Sequence, residues 1–419
     1  MLSNKRKLAA AAAVLLMVAA GCSSSKSTSS SSSAASGTSG AAPSGGTYTI
    51  GILTDVTGLA ASGNKTTALG AQVGAAALAA PAGYSLKFVV GDTESSPGGA
   101  LSAAQKLVEQ GHVLAVIAVS SLTFSAASYL TSQGIPVVGL GEDGPEWVTA
   151  NNMFSAFGAL DTTRVSTTFG QVLKRLGATD VGALGYGISP TSAESAKGDA
   201  ASAQAAGIKV GYVNAQFAFG STNVEPIALA MEAAHIDAFT ASVDGNTAFA
   251  LITALRQGGV KLKVPILATG YGGDILTAGP GAIQAAQGVY FLVSFEPIEM
   301  HTAATDEFES ALKSAGITID PTFAEYGGYA SVALLVDGLK AAGPNPSRAA
   351  LISALSGIKS FDAAGLLGSR TLDMTNRAAQ ASTTCFWLTQ LSGTTFRLIS
   401  GAEPVCGSAI PGKTVSASS

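Results

Sequence analysis

The sequence predicts an α/β protein of two lobes, each a parallel sheet covered by helices, and three observations carry that expectation. Strand-like and helix-like segments alternate regularly from Tyr48 onward. The alternating series occurs twice, with the break near Phe154. The 419 residues, 47% hydrophobic and 12% charged, are also enough for two domains that each bury a core.

Ahead of the first strand, Lys5, Arg6 and Lys7 form a positive n-region, and Leu8 to Ala20 form an apolar stretch too short to span a bilayer as a mature helix. This is the pattern of an export signal. It ends in Val18-Ala19-Ala20-Gly21-Cys22, which resembles the bacterial lipobox. That resemblance implies cleavage before Cys22 and a diacylglycerol on its thiol; a plain signal peptide with a chance cysteine is the alternative. From Ser23 to Gly46 the chain is almost wholly Ser, Ala, Gly and Thr without apolar periodicity, so it buries too little surface to offset its ordering entropy. A disordered tether is expected there.

The first series then reads as a strand at Tyr48–Leu53, a helix at Asn64–Ala80 and a strand at Leu86–Val90. In the helix predicted over Pro97–Gln110, Leu101, Ala104, Leu107 and Val108 make a 3.6-period stripe, and Gly111 is a stop. Val113–Val119 is a short continuous apolar run, as a strand buried on both faces requires, followed by a helix at Leu122–Ser132 and a strand at Ile135–Leu140. The second series predicts helices at Thr162–Leu176, Thr191–Ala206, Val224–Ala234 and Thr247–Gln257. Its strands are expected at Val181–Leu184, Ile208–Val213, Ile236–Ala241, Val264–Ala268 and Val289–Val293.

Near the end, Phe386-Trp387-Leu388 and Phe396-Arg397-Leu398-Ile399 flank Ser392-Gly393, a hairpin signal. It brings Cys385 and Cys406 together, and an exported chain tolerates a disulfide between them, worth roughly 3 kcal/mol on the chain-entropy model. Two free thiols are the alternative. A metal site fits less well, because none of the three histidines, His112, His235 and His301, lies near them in sequence.

Composition excludes several functions. Net charge is −4 and no dense Lys/Arg cluster follows the first residues, so nothing supplies the phosphate-neutralising surface that nucleic acid requires. Hydrolase, metalloprotease, P-loop and dinucleotide motifs are missing, and Gly270-Tyr271-Gly272-Gly273-Asp274 has no lysine to hold phosphates. His112 closes a helix, His235 precedes a strand and His301 sits on a polar turn, so a general base is not expected among them. The expectation is a protein without catalysis, metal or cofactor.

Three stretches carry a family resemblance. The first is Ile50-Gly51-Ile52-Leu53-Thr54-Asp55-Val56-Thr57-Gly58; the second is Gly91-Asp92-Thr93-Glu94-Ser95-Ser96-Pro97 with Ala103-Ala104-Gln105-Lys106-Leu107-Val108. The third is Ala115-Val116-Ile117-Ala118-Val119-Ser120-Ser121 leading to Gly134-Ile135-Pro136-Val137-Val138. In this order and spacing the chain from about Tyr48 to Leu398 resembles the type 1 periplasmic binding proteins, particularly the leucine/isoleucine/valine-binding branch of ABC-importer receptors. The resemblance implies two Rossmann-like lobes joined by a three-segment hinge, with crossings near Phe154–Gly158, Ser294–Pro297 and Ser360–Leu366. The expected organisation is signal peptide 1–21, tether 22–46, lobe one 47–156 plus 297–360, lobe two 157–296 plus 361–412 with the C-terminal hairpin, and tail 413–419.

In open α/β sheets ligands sit beyond the carboxyl ends of strands, where helix N-termini present free N–H groups. Ser120, Ser121 and Thr123 lie there after the third strand and match the family's carboxylate-binding serine, although Ser121 also reads as a helix cap. After the fourth strand come Gly141, Glu142 and Asp143; the family places Thr or Ser where Asp143 stands. An anion there repels a ligand carboxylate as the site loses water, so a cationic, amide or polyhydroxyl ligand suits the position better. Both carboxylates pointing to solvent or capping the next turn is the alternative. From lobe two, Tyr186, Ser189, Thr191, Ser192, Ser242, Asp244, Thr269, Gly270, Tyr271 and Gly272 are expected to face the cleft, with Tyr326 or Tyr329 of lobe one, and Trp147 as a rim candidate. The implied function is capture of a small molecule (amino acid, amide, amine or polyol) for ABC permease subunits, outside the cytoplasmic membrane and tied to it only through Cys22. A ligand-sensing module, or a surface lipoprotein acting as an interaction partner, is the alternative use of the same fold.

Overall fold

The computed structural model describes residues 45–380 and 383–418. The expected export signal, Cys22 and the tether up to residue 44 lie outside the described residues. The first sheet comprises β1 (Thr47–Thr54), β2 (Ser85–Asp92), β3 (Ala115–Val119), β4 (Val137–Gly139) and β5 (Met153–Ser155), in the order β2-β1-β3-β4-β5 with every pair parallel. Helices α1 (Ala61–Asn64), α2 (Thr67–Gly74), α3 (Pro97–Glu109), α4 (Phe124–Ser132) and α5 (Glu146–Thr149) connect and cover it. All of β3 is buried, which explains its unbroken apolar sequence: a strand covered on both faces has no solvent side on which to alternate.

After β5 the chain enters the second sheet. There β6 (Arg164–Ser166), β7 (Asp180–Tyr186), β8 (Lys209–Phe217), β9 (Ala238–Ser242), β10 (Val264–Leu267) and β11 (Tyr290–Val293) alternate with α6 (Thr168–Leu176), α7 (Pro190–Ala205), α8 (Glu225–Ala233), α9 (Gly245–Gln257), α10 (Gly273–Leu276) and α11 (Pro280–Ala285). It returns to pack α12 (Ala303–Ser314), α13 (Phe323–Ala342) and α14 (Arg348–Ser356) with the first sheet's helices, then goes back through α15 (Arg377–Gln380) to β12 (Thr383–Ser392), β13 (Thr395–Leu398) and β14 (Val405–Thr414). The second sheet runs β6-β14-β12-β11-β10-β9-β7-β8, with β13 paired to β12; β8, β7, β9, β10 and β11 are parallel, and β12 to β14 antiparallel. The later passages between sheets are knitted together: Glu296 N–H donates to the Leu366 carbonyl at 2.7 Å, and the Arg370 guanidinium donates to the Ser294 carbonyl at 2.8 Å.

The hairpin at Ser392-Gly393 forms, and Cys385 and Cys406 are joined by a disulfide across β12 and β14, where they are register partners. Three expectations differ from the structure. The single helix over Asn64–Ala80 is instead α1, α2 and a π turn at Ala75–Ala79. Here α2 crosses α13 at glycines: a Cβ on Gly70 would lie 2.2 Å from the Glu325 carbonyl oxygen, and one on Gly328 2.4 Å from that of Thr67. The helix expected from Thr162 begins only at Thr168, because Arg164–Ser166 pair with β14 from the far end of the sequence. That pairing suits a run rich in Thr and Val, and no local pattern announces it. Residues expected as a tail are likewise held: β14 extends to Thr414, and Val415 N–H donates to the Thr163 carbonyl at 2.8 Å.

Candidate functional site

The carboxyl ends of strands from both sheets converge on one cavity of about 250 Å³. Ser120 and Ser121 reach it from the end of β3, and Gly141, Glu142 and Asp143 from the end of β4. From the second sheet come Tyr186, Ser189, Thr191 and Ser192 after β7, Ser242 and Asp244 after β9, and Ala268 and Thr269 after β10. Ser189 Oγ, at the N-cap of α7, donates to the Asp143 carbonyl at 3.2 Å and so joins the two sets of loops.

One fully buried carboxylate, Asp55 at the end of β1, organises the first wall. Its Oδ1 accepts from the hydroxyls of Thr93 and Ser120 (2.7 Å for Ser120), and its Oδ2 accepts from Asn64 Nδ2 at 2.8 Å and Ser121 N–H at 2.9 Å. Ser120 Oγ also accepts from Leu122 N–H at 3.0 Å, so its single proton is already committed to Asp55. Ser121 Oγ, held at 3.3 Å by Asn64 Nδ2, keeps its own proton for the cavity. The two serines therefore differ: Ser120 builds the wall and Ser121 offers a donor.

Asp143 is buried and caps α4, with Oδ2 accepting from Phe124 N–H at 2.8 Å and Oδ1 from Trp147 Nε1 at 2.9 Å. Burial pushes its carboxyl up to about 7 against these two hydrogen bonds, with Asp55 adding to the rise. Glu142 is exposed into the cavity and has no hydrogen-bond partner among the described residues; desolvation by the surrounding protein and the charge of Asp143 push it up to about 8. In the second sheet, the Asp244 carboxylate caps α9 through Thr247 N–H at 3.1 Å and accepts from the Tyr186 hydroxyl. Burial and that carboxylate hold the Tyr186 phenol well above its usual range. No Lys, Arg or His lines the cavity among the described residues.

Seven expected site residues, Gly270 among them, stand outside the cavity lining. Thr123 is buried, its hydroxyl 3.3 Å from the Ser120 carbonyl that it donates to. Tyr271 is 2% exposed, donates its hydroxyl to Glu299 at 2.6 Å and packs edge-on against Phe396 at 5.0 Å. Its size and amphipathic character suited a buried clasp as well as a cleft, and local sequence does not separate the two. Gly272, at φ +69°, lets the chain pass the loop before α13, where a Cβ would lie 2.2 Å from the Pro321 carbonyl oxygen. Tyr329 is buried against Phe308 at 4.7 Å, and Tyr326 stacks on Phe295 at 4.0 Å. Trp147 is fully buried rather than on a rim.

Sequence reasoning passed over Asp55, Asn64 and Asp199, all of which shape the cavity or its first wall. A signal existed for each carboxylate. Asp55 breaks an apolar strand end, and Asp199 continues Ser192 and Ser195 at helical spacing on a face that an α/β layer normally keeps apolar.

Residues 47–395 match the model of the periplasmic binding protein family. Solved structures share the architecture. A solute binding protein of an ABC transporter from R. palustris, in complex with benzoate, is 19% identical with a TM-score of 0.71, covering 88% of this chain and 98% of that one. A leucine binding protein from Thermotoga maritima is 17% identical with a TM-score of 0.69, covering 85% and 98%. A branched-chain amino acid transporter substrate binding protein from Streptococcus pneumoniae, in complex with isoleucine, is 21% identical with a TM-score of 0.69, covering 86% and 99%. At these identities the likeness is one of fold. Among curated protein sequences none matches the chain significantly.

Proposed function

Because the chain belongs to the type 1 periplasmic binding protein family, we propose that it captures a small polar solute between its two sheets and hands it to the permease of an ABC importer. The observation that carries this reading is the cavity itself, which draws side chains from both sheets' strand ends, where a hinge motion closes on a ligand. Lobe one is read as residues 47–156 plus 297–360 and lobe two as 157–296 plus 361–412 with the rest of β14 that follows; the ligand shifts their open and closed populations by its differential affinity. Ser121, Glu142 and backbone groups near Gly141 contact it from lobe one, and the Tyr186–Asp244 pair and Ser192 bound it from lobe two. Anchoring through a diacylglycerol on Cys22 rests on the lipobox-like run before it.

The charge of the lining selects against carboxylates. Glu142, Asp143 and Asp244 line a cavity without a cationic side chain, so an anionic ligand finds no counter-charge there and is repelled by these acids where they ionise. Neutral amides, polyols and amines fit better.

A thermal-shift screen across amino acids, amides, amines, polyols and purines tests the reading, since a ligand at a hundred times its dissociation constant stabilises by about 2.7 kcal/mol. A hit is expected to contract the radius of gyration in solution scattering and to weaken on Ser121→Ala or Glu142→Gln. If no compound raises the melting temperature or closes the lobes, the receptor reading fails.

A further inference from the structure

We propose that the cavity has an inner arm along α7 that holds the protonated nitrogen of an elongated, otherwise apolar amine on the carboxylate of Asp199. The inference rests on the solute-binding reading above and narrows its ligand class.

Ser192, Ser195 and Asp199 stand at i, i+3 and i+7 on α7, hence on one face, and all three line the cavity. The neighbouring face, Ala193, Ala196 and Ala200, packs in a dry cluster with Ala183 and Ala215, so the polar stripe is not what layer packing requires. At 1.5 Å rise per residue, Asp199 lies about 10 Å farther along α7 than Ser192. The arm therefore runs from the strand tips inward between α7 and the second sheet. Its other walls are apolar: Phe169 of α6, Leu292 of β11 and Phe386 of β12.

The polar atoms at the inner end are incompletely used. Asp199 Oδ2 accepts from Thr240 Oγ1 at 2.9 Å, while Oδ1 and the Ser195 hydroxyl have no hydrogen-bond partner among the described residues. Lys197, on the same helix, is directed to the carbonyls of Ser416 and Ala417 at 2.7 and 3.2 Å. Burial pushes the Asp199 carboxyl up to about 7, the behaviour of an acid taken out of water without a counter-charge. An ammonium group supplies that charge and donates to Asp199 Oδ1 and Ser195 Oγ, while an apolar stem lies between Phe169 and Phe386. A carboxylate at the same place faces an acid and no cation. An alcohol satisfies the hydrogen bonds but leaves the charge uncompensated.

Titration calorimetry at pH 8 with n-hexylamine, 1-hexanol and hexanoate tests this. The amine is expected to bind about tenfold or more tighter than the alcohol, and hexanoate not measurably. Asp199→Asn is expected to weaken the amine by about tenfold while changing the alcohol by less than about twofold, and Ser195→Ala to weaken the amine by about threefold. Hexanoate binding as tightly as hexylamine, or amine affinity unchanged in Asp199→Asn, overturns the proposal; should that variant not fold, unchanged affinity in Ser195→Ala does so. If hexylamine does not bind but a compound of another class closes the lobes, the arm is refuted and the receptor reading stands. If nothing binds, both fall.

Discussion

On the wall that follows β1, β3 and β4, Asp55 and Asp143 lie buried with each oxygen accepting at least one hydrogen bond, whereas on α7 Asp199 spends one oxygen on Thr240 and turns the other toward the cavity. Both regions bury carboxylates in one site; what separates them is how many donors the protein itself supplies. A carboxylate saturated by backbone N–H groups and neighbouring side chains is part of the framework, and moving a ligand onto it would break bonds already made. One with a vacant oxygen and no cation nearby has its stabilisation still to come. Glu142, beside the framework acids in sequence, belongs with Asp199 by this criterion, since no donor meets it.

The largest test of that division is Asp55→Ala. It strips partners from Thr93, Ser120, Asn64 and the Ser121 amide together, and is expected to lower unfolding free energy by about 3 kcal/mol or more. Urea denaturation of the ligand-free protein reads this, and a loss under about 1 kcal/mol would show that Asp55 is not a framework residue. Asp143→Asn is a milder break. Its single acceptor oxygen cannot serve both Phe124 N–H and Trp147 Nε1, so about 1–2 kcal/mol is expected to be lost in the same assay.

The smallest effect has the opposite sign. Glu142 and Asp199, pushed up to about 8 and about 7, are protonated in the folded chain over a range where the unfolded chain has released those protons, near pH 4. Their contribution is fully present below pH 4, and the ligand-free protein loses it as pH rises through 7 and 8. Asp143 and Glu146, also raised, add to the same slope. The double variant Glu142→Gln/Asp199→Asn is expected to be about 1 kcal/mol more stable than the natural chain at pH 8, allowing for the solvent contact of Glu142, and nearly equal to it at pH 4. Equal stability at both pH values would place these two acids with the framework set.

Much of the fold was legible locally. The apolar run at Val113–Val119 required a doubly covered strand, which forms at Ala115–Val119; Pro97 and Gly111 bracketed α3, and Ser392-Gly393 placed the hairpin that brings Cys385 to Cys406. The strand at Arg164–Ser166 was not legible, because its partner lies more than two hundred residues away. In the site, Ser120, Ser121, Gly141, Glu142, Asp143, Tyr186, Ser192 and Asp244 all line the cavity, because the end of a parallel strand is a topological position that periodicity reveals. Tyr271, Gly272, Tyr329 and Thr123 also follow strands or open helices, yet their side chains or backbones are taken up by Glu299, Pro321, Phe308 and Ser120.

By itself, then, the sequence determined most of the order of strands and helices, the doubled α/β layout and most of the loops that face the cleft, since each follows from short-range periodicity and turn chemistry. Only the tertiary structure decided which polar groups are spent and which are free: that Ser120 gives its proton to Asp55, that Asp143 caps a helix, and that Asp199 keeps an oxygen in the cavity. The physical reason is that hydrogen-bond satisfaction depends on partners distant in the chain, and no window of sequence contains both members of such a pair.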